Sequence, residues 1–166
     1  MDGLEGKLLL VNGRPDAVLP LRAGEIRRWR LLNAASARYF LLELPGHSFH
    51  VIGTDGGRIE EPYDTDKLLL TPGERYDVLV RGVGEPGDEV GLYAKAYNRG
   101  QMHGMDGARQ LATVRYSGAG ALEEKVFPAT SVPIAPILDL GTAPIREIVL
   151  DEMEGVTQLI ASLDGK

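Results

Sequence analysis

Leu70-Thr71-Pro72-Gly73-Glu74-Arg75-Tyr76-Asp77-Val78-Leu79-Val80 is the most informative stretch of this chain. It fits the pattern L-x-P-G-x-x-Y and runs into an alternating strand. Pro72 and Gly73 shape a tight turn. Beyond it, Tyr76, Val78 and Val80 share one face at a period of two. The arrangement resembles a tyrosine corner, in which the ring enters the core and the hydroxyl bonds a backbone group upstream, across a turn between two sheets. On that reading Tyr76, Pro72 and Gly73 are structural residues of a Greek-key sandwich. The alternative is a plain turn carrying an exposed phenol.

Working outward, the same period recurs. Upstream, Trp29 and Leu31 oppose Arg28 and Arg30 over Glu25 to Leu32, and Phe40, Leu42 and Leu44 share a face up to Pro45-Gly46. His50 to Gly53 is short and stops at Thr54-Asp55-Gly56-Gly57, and Lys67 to Leu70 leads into the corner. Downstream, Val90, Leu92, Ala94 and Ala96 alternate, and Gln110 to Tyr116 closes the series. At the front, Lys7 to Val11 is an apolar run ended by the turn dipeptide Asn12-Gly13. A further extended piece lies between Pro15 and Pro20. About eight strands with turn signals at this spacing predict an all-β, Greek-key sandwich or barrel over 1–116. Composition then shifts. Ser117-Gly118-Ala119-Gly120 breaks the pattern, and Pro128, Pro133, Pro136 and Pro144 mark 117–144 as an extended Pro-rich linker. Over 145–166, Ile145 to Leu150 reads as another strand, while Val156 to Leu163 fits a strand or a short helix.

Composition narrows the function. The 166 residues carry 18 Lys and Arg against 24 Asp and Glu, a formal charge of −6, which disfavours nucleic acid or an anionic membrane as partner. No apolar run approaches the ~18 residues of a membrane helix, and Met1 to Gly6 does not read as a signal peptide. Cysteine is absent, which excludes disulfides, thiolate zinc and any copper–thiolate bond. His47, His50 and His103 are the only histidines.

Several motifs, in order, resemble one family. Leu9-Leu10-Val11-Asn12-Gly13 is similar to the L-V-N-G opening of the second domain of three-domain multicopper oxidases. Trp29-Arg30-Leu31-Leu32-Asn33-Ala34-Ala35-Ser36-Ala37-Arg38-Tyr39 resembles that family's R-L-L-N-A-S-x-A-R-Y segment. His50 to Gly57 resembles its x-V-I-A-x-D-G-G turn, and Leu68 to Val80 its L-x-P-G-E-R-x-D-V-L-V strand pair. The likeness is greatest to bacterial laccases, and it implies a cupredoxin-like fold. Ile145 to Leu150 resembles the first strand of the family's third domain, and Leu163-Asp164-Gly165-Lys166 stands where that domain has I-N-G-K. The resemblance therefore implies an excised middle domain with its exit linker, or a truncated product. It places all copper in the neighbouring domains, so the expectation is no catalytic residue, no cofactor and no oxidase activity in this chain. The implied partners are the adjoining cupredoxin domains, and the parent would be periplasmic or extracellular. A standalone β-sandwich binding module without redox chemistry is the alternative.

The remaining candidates are weaker. His47 and His50 stand at i and i+3, which on a strand sends them to opposite faces. Met102, His103 and Met105 lie in a Gly-rich loop, and thioethers with one imidazole suit Cu(I) as an accessory site, against a hairpin tip whose Met residues cover a neighbouring surface. The acidic run Glu60 to Asp66 reads as a solvated loop. Arg28 and Arg30 form an outward pair that either meets a partner or is solvated. The apolar stretch 145–150 is expected to dock on the sandwich or to pair with a second copy of the chain.

Overall fold

The computed structural model describes residues 5–98, 107–118, 122, 126–127 and 133–134, with the backbone of 151–153 and 156–158. Nine strands build the sandwich: β1 (Ala17–Leu21), β2 (Ile26–Leu32), β3 (Phe40–Glu43), β4 (Phe49–Thr54), β5 (Gly57–Thr65), β6 (Lys67–Leu70), β7 (Arg75–Arg81), β8 (Glu89–Lys95) and β9 (Arg109–Tyr116). One sheet has the order β1-β9-β8-β3-β6 and the other β2-β7-β4-β5. Only β1 and β9 pair in parallel within them. No helix occurs among the described residues. Successive strands mostly change sheet, as in β1 to β2, β2 to β3, β3 to β4, and β5 to β6 to β7. The fold is therefore rich in corners, and each corner must find partners for the backbone groups it takes out of the ladders.

The period-two pattern does what it predicts. Phe49 and Val51 from β4 and Val78 and Val80 from β7 are fully buried. They face Leu42, Leu68, Leu70, Leu92 and Val114 of the other sheet across one core. In β2, Trp29 and Leu31 are half-buried while Arg28 and Arg30 are exposed. The chain divides into two compact units, Met1–Pro133 and Ile134–Lys166. The first extends past Tyr116 because Ser117 N donates to Leu21 O and Leu122 N to Ala23 O. Within the second, β10 (Asp151–Met153) and β11 (Val156–Gln158) pair as an antiparallel ribbon. The start of the ambiguous segment is thus a strand. Ile145 to Leu150, read as a strand, lies outside the described residues.

Three expectations need correction. Lys7 to Val11 is not a strand of either sheet. Its turn forms as the sequence predicts, with Asn12 and Gly13 both at positive φ (51° and 78°) and Val11 bridging Arg14. Before it, however, the carbonyls of Gly6 and Lys7 accept from the side chains of Arg38 and Arg109. The acidic run Glu60 to Asp66 is not a loop, since most of it belongs to β5. That edge strand is exposed on both faces, so no apolar alternation marks it, and Pro62 is tolerated where an edge N–H is not needed. A bulge between Val51 and Gly53 serves β4 against both neighbours. There a Cβ on Gly53 would meet Gly57 O at 2.8 Å.

The third correction concerns Tyr76. Its ring packs against the core, as expected. Its hydroxyl does not bond the backbone among the described residues and instead faces Glu74, Tyr63 and Asp55. The corner belongs to Asn33, only 2% exposed. Asn33 Nδ2 donates to Leu70 O (3.1 Å) and Arg38 O (2.7 Å), and Oδ1 accepts from Ala35 N (3.0 Å). Its backbone N donates to Glu74 O and its carbonyl accepts from Gly73 N. Glu74 Oε2 completes the turn by accepting from Thr71 N.

Core and surface should respond differently. Phe49→Ala at a fully buried site is expected to cost about 3–5 kcal/mol. Leu32→Ala at a site 60% exposed should stay within about 0.5 kcal/mol of wild type. Urea denaturation midpoints of the two variants check this.

Candidate functional site

The histidines are the natural place to look for chemistry, and the fold separates them. His47 lies in the turn after β3. Its Nδ1 stands 2.8 Å from Pro45 O. A carbonyl only accepts, so Nδ1 carries the proton and Nε2 is left as an acceptor. Nε2 takes the hydroxyl proton of Tyr116. That hydroxyl in turn accepts from Val83 N at 3.0 Å. Tyr116 is 3% exposed. The phenol-to-backbone bond sought at Tyr76 is therefore made by Tyr116, at the end of β9. His50 sits on β4, with Nδ1 2.9 Å from Asp64 Oδ1 of β5. Met102, His103 and Met105 lie outside the described residues.

A cleft opens between the N-terminal segment, the residues just before β3, and β8, lined by Leu9, Arg38, Tyr39, Tyr97, Lys95 and Arg109 among others. The Tyr39 and Tyr97 rings lie nearly parallel, 6.0 Å between centroids. Three cations beside two phenols look suited to an anionic aromatic ligand. Volume decides against it, because the free space is about 20 Å³, enough for one water. The cations are also engaged: Arg38 with Glu5 (3.2 Å), Lys95 with Glu43 (2.9 Å) and Arg109 with Lys7 O (3.0 Å). The hydrogen bond from Lys95 holds the Glu43 carboxyl below its ordinary range. This cleft ties the N-terminal segment to the sandwich.

Arg28, expected to face out, does so with its guanidinium forked onto Asp77. Arg30 beside it is exposed. Among the described residues no group of three His, Cys, Asp or Glu side chains converges on a point.

The comparisons with known proteins join this geometry to a family. Residues 3–119 match the family described as multicopper oxidase. The chain belongs to the multicopper oxidase family. It is 31% identical over 159 residues to the cell division protein FtsP of Photorhabdus laumondii, covering 95% of this chain and 31% of that protein. It is 33% identical to putative laccase-17 of Oryza sativa, covering 83% of this chain and 24% of that one. Among solved structures, the McoA multicopper oxidase of Aquifex aeolicus aligns with a TM-score of 0.76 at 26% identity, over 92% of this chain and 34% of that one. The laccase-like CueO of Ochrobactrum aligns at 0.67 and 31% identity, over 81% and 29%. The chain thus spans about a third or less of these relatives. The family resemblance and the cupredoxin-like sandwich read from the sequence both hold.

The family is a copper family, and the donors described here do not fit its metal. A blue copper site needs a thiolate, and the chain has no cysteine. Both nitrogens of His47 are engaged, and the His50 nitrogen not facing Asp64 is buried.

Tyr76 supplies a pH signature. Burial, followed by the charge of Glu74 and a hydrogen bond with it, pushes the phenol up to about 12 from its ordinary value near 10. Between these values the unfolded chain releases a proton that the folded chain keeps, so stability falls as pH rises through that window and is unaffected below it. Urea midpoints measured near pH 9.5 and pH 11.5 should therefore drop further for wild type than for Tyr76→Phe. Equal drops would remove Tyr76 as the cause.

Proposed function

We propose that this chain is the copper-free middle domain of a laccase-like multicopper oxidase. Its work is architectural: it spaces the domains on either side, offers each of them one face, and walls the substrate pocket beside the neighbouring type 1 copper. The parent oxidises phenols or metal ions one electron at a time, reduces dioxygen to water, and acts in the periplasm or outside the cell. Its partners are the adjoining cupredoxin domains, with residues 145–150 as a second contact, either onto the sandwich or to another copy.

The observation that carries this reading is the donor set. A family defined by copper is matched here by a sandwich without a single thiolate. Of its described histidines, His47 is spent on Pro45 and Tyr116, and His50 bonds Asp64 through Nδ1 with Nε2 buried. The share of each relative that the chain covers, 24% to 34%, fits one domain of several. A second reading, a β-sandwich binding module without redox chemistry, is favoured by the FtsP relatives, whose name refers to cell division.

The test is metal loading. The purified chain is incubated with Cu(II) and separately with Cu(I), dialysed, and assayed for bound metal, visible absorbance and oxygen uptake with a phenolic substrate. The expected protein is colourless, with uptake no higher than free copper and at most weak Cu(I) retention at Met102, His103 and Met105. An intense band in the red, or uptake above the free-copper control, would overturn the copper-free assignment.

A further inference from the structure

His50 stands on the outer face of the four-stranded sheet, in one register row with Leu79 of β7 and Asp64 of β5. That face should be wet, yet His50 is only 6% exposed. Its cover is Phe127, from the segment that leaves the sandwich. The two rings lie 4.5 Å apart between centroids and 9° from parallel. The Arg81 guanidinium also lies over the Phe127 ring, 4.7 Å from its centroid. Asp64 Oδ1 accepts from His50 Nδ1, which fixes the tautomer and leaves Nε2 as a bare lone pair. Nε2 is buried and has no hydrogen-bond partner among the described residues.

We propose that Phe127 is a pH-gated latch, closed on neutral His50 and released when the imidazole takes a second proton. That proton goes to Nε2, and among the described residues nothing beneath Phe127 accepts it. Swinging the ring away lets water do so. The Asp64 bond is available open or closed, so it favours neither state. A charged imidazole would gain a cation–π contact by staying under the ring, but it would forgo the hydration of a charged N–H, which is the larger effect. Arg81, a second cation at the same ring, adds repulsion. Across the rest of this face, Arg28 is spent on Asp77 and Arg30 is exposed; Glu25, near the end of β2, bonds Arg27 and Arg22 N. None of these is an acceptor for Nε2. Leu122 N stays tied to Ala23 O, so release would begin after that anchor.

The test is NMR of the full chain at about pH 8 and about pH 5, a range that spans the protonation of an ordinary imidazole. Nuclear Overhauser contacts between the Phe127 ring and the His50 carbon-bound protons should be present at the higher pH, with those protons shifted upfield by the ring. Both signatures should vanish at the lower pH while the core resonances stay in place. Contacts persisting at both values would overturn the proposal. In His50→Gln, contacts from Phe127 to Arg81 should be independent of pH, and a wild-type-like loss there would also overturn it. The wild-type spectra decide the matter even if the variant does not fold.

Discussion

A single buried amide carries the hardest junction of this fold. The strands keep changing sheets, so each corner removes backbone groups from their ladders. At the junction between β6 and β7, Asn33 reaches from the end of β2 to the carbonyl of Leu70 and on to that of Arg38. Its own backbone meets Gly73 and Glu74. One side chain thereby joins the β2–β3 connection to the β6–β7 turn, and so links the two sheets. An amide suits this role because it offers two donors and an acceptor on one rigid plane. A phenol has one oxygen.

That difference explains what the sequence did and did not reveal. Alternation exposed β2, β3, β7, β8 and β9 because each has one face toward the core and one toward solvent. It failed at β5, where both faces are largely exposed and charge alone remained to be read. It overreached at Lys7 to Val11, where apolar residues extend along the sandwich but spend carbonyls on arginines. The corner at Pro72-Gly73 was legible, but its fastener was not. Asn33 lies some forty residues away in the chain, and its partners across that gap leave no mark in the sequence around the turn. It stood in view within Leu31-Leu32-Asn33-Ala34-Ala35, where a polar residue between apolar neighbours was the available signal.

The chemistry was legible mainly by elimination. Missing cysteine excludes the thiolate copper site from the sequence alone. Structure adds how the described histidines are used: one completes a hydrogen-bond chain to Val83, and the other lies under Phe127. Neither use has a sequence signature, since the partners come from β9, β5 and the exit segment.

The most direct measurement of this account is Asn33→Ala, followed by urea unfolding and amide exchange at Ala35. Removing the amide leaves Leu70 O and Arg38 O without its donors and Ala35 N without its acceptor. The account predicts a loss of about 1–3 kcal/mol for each buried group so orphaned, together with faster exchange at Ala35. An unchanged midpoint with Ala35 still protected would show that the corner stands without Asn33, and would contradict the account.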